Sequence, residues 1–209
     1  SGKSTLANLI CRLFDTSEGE IRIDNRRIAD YNPHSLRKQM SYVPQDVFLF
    51  SDTIRNNIRF GNPALTEGQL MEVATQADLL ETVQRFEKQF DTMLGERGIT
   101  LSGGQKQRVS IARALAVKPR VLILDDCLSA VDTHTENIIL GHLKTEMKDK
   151  TTVIISHRIS SVKLADHILV LDQGQIVEQG SHSMLMAQNG AYKELYDKQL
   201  ATEQALSDG

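Results

Sequence analysis

The chain has 209 residues, 40% of them hydrophobic and 24% charged, with a formal net charge of −3 and a pI near 6.1. That is ordinary globular composition, enough for one core with a lobe inserted in it, and it gives no electrostatic case for a nucleic-acid partner, which needs a clustered basic face. There is no apolar run of about 18 residues that could span a membrane, no signal peptide, and only Cys11 and Cys127, far apart in apolar surroundings, so no disulfide is expected.

The chain opens without Met on Ser1-Gly2-Lys3-Ser4-Thr5, inside what reads as a motif, and is expected to be a fragment. Leu6, Leu9, Ile10 and Leu13 follow at helical spacing, so Gly-Lys-Ser-Thr sits at a helix start. This is the second half of a P-loop, G-x-x-x-x-G-K-[ST]. N–H groups at a helix start, with the helix dipole, hold phosphate oxygens. Lys3 would neutralise the β/γ-phosphates and the Ser4 hydroxyl would ligate Mg²⁺; the rival reading is an ordinary Ser-capped helix. Residues 19–24 alternate as a strand, with a turn near Asn25, and residues 35–39 make a short helical piece. Residues 40–45 read as a strand ended by Pro44. Gln45 at its exit is either a solvated loop residue or an amide oxygen for Mg²⁺ and attacking water.

From Phe48 to about Lys118 the periodicity turns helical. Leu70, Val73, Ala74 and Ala77 share one face, and Leu79, Leu80, Val83 and Phe86 another, as expected of an inserted lobe. In its second half Leu101-Ser102-Gly103-Gly104-Gln105 precedes a long helix, Lys106 to Val117. In a helix interior each glycine costs about 1 kcal/mol against alanine. Close backbone approach and exposed N–H groups suited to an anion would offset that; a flexible turn is the alternative. Val121-Leu122-Ile123-Leu124 reads as a strand buried on both faces, and it runs straight into Asp125 and Asp126. Two carboxylates are costly when buried without partners but suit the carboxyl edge of an open α/β sheet, where such folds hold ligands. Residues 128–132 form a loop ending at an N-cap, and Thr133 to Lys148 a helix. Residues 151–156 form a second buried strand whose end, His157, lies at the same edge. A hairpin (167–171 and 175–178, turning at 172–174) and two helices follow, and residues 202–209 read as a frayed tail. His142 and His182 stand in no motif and read as surface or packing residues.

The ordered set Gly-Lys-Ser-Thr (2–5), Val-Pro-Gln (43–45), Leu-Ser-Gly-Gly-Gln (101–105), Leu-Ile-Leu-Asp-Asp (122–126), Ser-Ala-Val-Asp (129–132) and Ser-His-Arg (156–158) resembles the nucleotide-binding domain of ABC transporters. The resemblance covers nearly the whole chain, and Leu-Ser-Gly-Gly-Gln is highly specific to this ATPase class. It implies an α/β fold: a P-loop NTPase (RecA-like) core with a mostly parallel sheet, residues 1–50 and 119–200, an inserted α-helical subdomain, 51–118, and a tail, 201–209. Residues 50–54, Asn57, Ile58, Gly61 and Gly95-Glu96-Arg97-Gly98 look like those of exporters. There the last loop, here Glu96 and Arg97, touches the coupling helices of the membrane domain. The resemblance therefore implies half of an exporter, attached at the cytoplasmic face of a plasma or inner membrane through an upstream transmembrane domain. It also implies ATP and Mg²⁺ as cofactors and no nucleic-acid partner.

Roles follow by resemblance. Gly2, Lys3, Ser4 and Thr5 resemble the phosphate-binding residues, with Gln45 and His157 also at the nucleotide. Ser4, Gln45 and Asp125 resemble the Mg²⁺ ligands. Leu101, Ser102, Gly103, Gly104 and Gln105 resemble the signature that closes over ATP bound to a second such domain, and Asp132 resembles the D-loop aspartate at that interface. Two domains would sit head to tail around two ATPs. One position departs: Asp126 stands where the family usually has a glutamate general base. It is shorter by one methylene, roughly 1.5 Å, and general base catalysis is worth about 10²–10⁴-fold. Asp126, His157 and Gln45 are thus the expected catalytic residues of a weakly hydrolytic site, in a heterodimer whose partner site this chain's signature completes. The alternatives are a non-transport ABC ATPase acting on nucleic acid or ribosomes, an importer ATPase, and a module that binds nucleotide without turning it over.

Overall fold

In the computed structural model, residues 2–95 and 98–207 are described. Glu96 and Arg97, expected in the coupling loop, lie outside them.

Helix α1 (Lys3–Ile10) is followed by a small hairpin, β1 (Arg22–Ile23) and β2 (Arg26–Arg27). Asp24 and Asn25 turn it with positive φ, which these residue types tolerate. Helix α2 (Pro33–Arg37) starts where the Asn32 side chain accepts the His34 and Ser35 N–H groups, with proline pre-set for the first turn. Strand β3 (Met40–Val43) ends at Pro44, as proline requires. The lobe then runs through α3 (Ile54–Arg59), α4 (Glu67–Gln76), α5 (Leu80–Gln84) and α6 (Gly103–Ala116). Strand β4 (Val121–Asp125), α7 (Thr133–Glu146), β5 (Thr151–Ile155) and the short α8 (Ile159–Val162) follow. Strands β6 (Ile168–Asp172) and β7 (Gln175–Gly180) form a hairpin, and α9 (His182–Gln188) and α10 (Ala191–Ser207) end the chain.

The central sheet is parallel, in the order β3-β4-β5, with Val43 opposite Leu124 and Asp125 opposite Ile155. Its middle strand is buried from Leu122 to Asp125, as a strand covered on both faces must be. One apolar cluster runs from Ile54, Ile58 and Leu70 in the lobe through Ile111 and Leu115 to Leu122, Leu124 and Ile139. Lobe and sheet therefore share a core, each buried Leu or Ile contributing about 1.5–3 kcal/mol. Ser41 Oγ fastens them further, donating to the Ala114 carbonyl at 2.8 Å. Hairpin β6–β7 turns at Gln173 and Gly174, both with positive φ, and pairs apart from the central sheet. A groove of about 350 Å³ lies between β5 and β6, with Lys3 and His157 among its walls.

The C-terminus departs from its expected fraying. Helix α10 continues through the stretch expected as a tail, to Ser207. Its composition there explains this: Ala201, Gln204 and Ala205 are good helix formers. Cys11 and Cys127 are buried free thiols. His142 Nδ1 meets the Gln76 carbonyl at 3.2 Å and His182 Nδ1 meets Tyr192 Oη at 2.8 Å, both packing roles.

Candidate nucleotide site

The parallel register puts three strand ends at one edge. Gln45 lies two residues past β3, Asp125 and Asp126 at the end of β4, and Ser156 and His157 just past β5. Helix α1 packs on β4, and its first residue, Lys3, shares the groove wall with His157. Gly2 caps α1 in the left-handed conformation, with no side-chain hydrogen bond to the helix end. A Cβ on Gly2 would meet nothing within 4 Å. A helix start carries N–H groups without intrahelical partners, and Gly2 places no side chain over this one.

Asp125 is buried, 4% exposed, and its Oδ2 accepts a hydrogen bond from Tyr42 Oη at 3.0 Å. Burial, and then that bond, push the Tyr42 phenol up to about 12, so it stays a donor at neutral pH. Tyr42 is a residue that motif reasoning misses. It sits opposite Ile123, two places short of Asp125 on the neighbouring strand; only the register reveals that its side chain reaches diagonally to the carboxylate. Asp126 has φ +47, a left-handed conformation that aspartate tolerates better than most residues. Its N–H donates to the Ile155 carbonyl at 2.7 Å, and its carbonyl accepts from Ser129 Oγ at 2.9 Å. The exposed His157 is held through its peptide. Gln199 of α10 donates to the His157 carbonyl and accepts the Ile159 N–H at 2.8 Å. Gln199, too, carries no sequence signal: it lies in a stretch without a motif.

The 101–105 segment is built differently. Ser102 caps α6, accepting the Gln105 N–H at 3.2 Å, while Gln105 Oε1 accepts the Ser102 N–H at 2.9 Å. Gly103 and Gly104 face the 129–132 loop. A Cβ on Gly104 would lie 2.8 Å from the Ala130 carbonyl oxygen, and one on Gly103 3.4 Å from Ala130 Cβ. The Ala130 N–H donates to Gln107 Oε1 at 3.1 Å, fixing the same contact. Part of the glycine requirement is thus close approach to the chain's own backbone. Leu101 is buried beneath the turn, and Ser102 and Gly103 are exposed. Asp132 is exposed and caps α7, accepting the Thr135 N–H at 2.9 Å, a bond that holds its carboxyl below the usual range.

Comparison with known proteins agrees with this arrangement. The family described as ABC transporter matches residues 1–129. The chain is 48% identical over 206 residues to an ATP-dependent lipid A-core flippase of Hahella chejuensis, covering 98% of this chain and 35% of that protein. It is 46% identical to heavy metal tolerance factor 1 of Caenorhabditis elegans, covering 99% of this chain and 26% of that protein. A solved bacterial Atm1-family ABC exporter with ATP bound superposes with a TM-score of 0.91 at 43% identity, covering 95% of this chain and 35% of that one. The chain thus spans about a quarter to a third of the length of these relatives. Fold, motif order and likeness together show that the chain belongs to the ABC transporter family and matches its exporter-type members.

Proposed function

We propose that this chain is the ATP-binding and ATP-hydrolysing domain of an ABC exporter, working head to tail with a second such domain. The observation that carries the reading is the parallel register that ends β4 at Asp125 and β5 just before His157, with Lys3 of α1 and His157 on one groove wall. Lys3 and the N–H groups of α1 take the β/γ-phosphates. The Ser4 hydroxyl, the Gln45 amide and the Asp125 carboxylate are hard oxygen donors that suit Mg²⁺. Among the described residues no cluster of three or more His, Cys, Asp or Glu could hold a metal; one carboxylate with a hydroxyl is what an ion shared with phosphates needs. Bound Mg²⁺ neutralises charge developing on the phosphates. Tyr42 fixes the Asp125 carboxylate, His157 donates toward the terminal phosphate, and Asp126 polarises the attacking water. The exposed face at Ser102 and Gly103, with Asp132, is offered to the partner's nucleotide.

No helix among the described residues is long and apolar enough to cross a membrane, so transport requires a membrane-spanning partner segment. By its exporter likeness the domain works at the cytoplasmic face, coupled through Glu96 and Arg97. The short arm of Asp126 makes this chain's own site the weaker one of a heterodimer. Asp126→Glu in the full-length protein, assembled with its partner, tests this. Turnover should rise about tenfold or more, less a small cost for glutamate in a left-handed position. An unchanged rate, with the partner's own base also dispensable, would sink the asymmetry; brisk turnover by a homodimer would show that aspartate suffices.

A further inference from the structure

We infer that Glu136, acting through Arg158, is a positioning residue that locks the 128–132 loop and the His157 loop into one rigid unit. Glu136 has no exposed surface, and nothing in the nucleotide chemistry above uses it. Its carboxylate pairs with Arg158 Nη2 at 3.0 Å and accepts hydrogen bonds from Ser160 Oγ and Ser161 Oγ. The Arg158 guanidinium then spans the neighbouring loop. Nη1 donates to the carbonyls of Leu128 at 3.3 Å and Val131 at 3.2 Å, and Nη2 to Thr133 Oγ1 at 3.1 Å. The Arg158 N–H donates to Ser156 Oγ at 3.0 Å, across His157. The guanidinium thus ties the loop that ends at Asp132 to Glu136, while the Arg158 peptide N–H ties Arg158 to Ser156 on the other side of the histidine.

A buried ion pair is weak evidence for stability, since apolar residues of similar volume often serve as well or better. What the pair supplies here is geometry. A guanidinium holds several acceptors in fixed directions, and a lysine ammonium cannot replace it. Sub-ångström placement of groups around a reacting phosphate is worth up to about a hundredfold in rate. Any movement of the 128–132 loop against a partner domain would carry the His157 peptide with it.

This inference rests on the proposed roles of His157 and Asp132, and the experiment separates the two. In the full-length protein, ATP turnover, KM and thermal midpoint are measured for Arg158→Lys, for the apolar pair Glu136→Leu with Arg158→Met, and for His157→Ala. The expected result for the apolar pair is a thermal midpoint at or above the unsubstituted protein's, with kcat down about ten- to a hundredfold and KM little changed. Arg158→Lys, which keeps the charge and a partly exposed stem, should fold and show the same loss in kcat. Recovery of kcat together with the midpoint, or full kcat in Arg158→Lys, would reduce the pair to a structural one and overturn the inference. Unchanged turnover in His157→Ala would instead overturn the site reading beneath it.

Discussion

Helices α1 and α6 both have glycine at their starts, Gly2 at the N-cap of one and Gly103 and Gly104 in the first turn of the other, yet the two starts are built differently. Helix α1 begins at a left-handed Gly2 without any side-chain cap, and a methyl group there would touch nothing. Helix α6 begins with both ends of a capping box made, Ser102 to Gln105 and back, and Gly104 is pressed against the Ala130 carbonyl. The first start has no side-chain cap from Gly2; the second satisfies two donors within the chain and uses Gly104 for a backbone contact. A glycine pair before a helix therefore does not by itself identify an anion site. What favours α1 for the proposed role is that Lys3 and His157 share one groove wall.

The largest expected effect lies at the start of α1. Lys3→Ala in the full-length protein should lower ATP turnover about 10²–10³-fold, as removal of a donor facing developing charge does, with little change in thermal midpoint. A large fall in stability with intact turnover would make α1 an ordinary structural helix. Next comes Gly104→Ala. Its Cβ meets a backbone oxygen at 2.8 Å, which cannot swing aside as a side chain would. The expected loss is about 1–3 kcal/mol in chemical denaturation, and turnover should fall as the 129–132 loop shifts. Gly2→Ala is the matched control, with no clash and only the left-handed penalty of about 1–2 kcal/mol. If Gly104→Ala were the milder of the two, close approach would not be the reason for glycine at α6.

How much of this was legible follows from range along the chain. The apolar run 121–124 predicted a doubly covered strand because burial on both faces removes alternation, and β4 is that strand. The hairpin turning at 172–174 and the Asp132 cap of α7 follow from local turn and capping chemistry. Tyr42 on Asp125 depends instead on the register of two strands 83 positions apart, and the Gln199 clamp on a helix 42 positions from His157. No local pattern encodes such pairings. The glycines of 101–105 read in the sequence as room for an anion; their close approach to Ala130 is visible only in the fold. Polarity makes residues 202–209 read as a tail, whereas Ala201, Gln204 and Ala205 favour the helix that α10 continues to Ser207.

The smallest effect is the most discriminating. Ser102 is exposed, and its hydroxyl serves as the cap of α6, so Ser102→Ala should cost about 1 kcal/mol. Asparagine caps about as well as serine, so Ser102→Asn should restore the thermal midpoint to within a few tenths of a kcal/mol. Asparagine also brings a bulkier amide to the face proposed above to meet a second domain's nucleotide. If Ser102 serves the partner's phosphates as well as its own helix, Ser102→Asn will regain stability while turnover stays low. If capping is its whole task, turnover will return with stability, and α6 will differ from α1 in kind: a closed helix start whose exposed glycine edge, rather than its serine, faces the second domain.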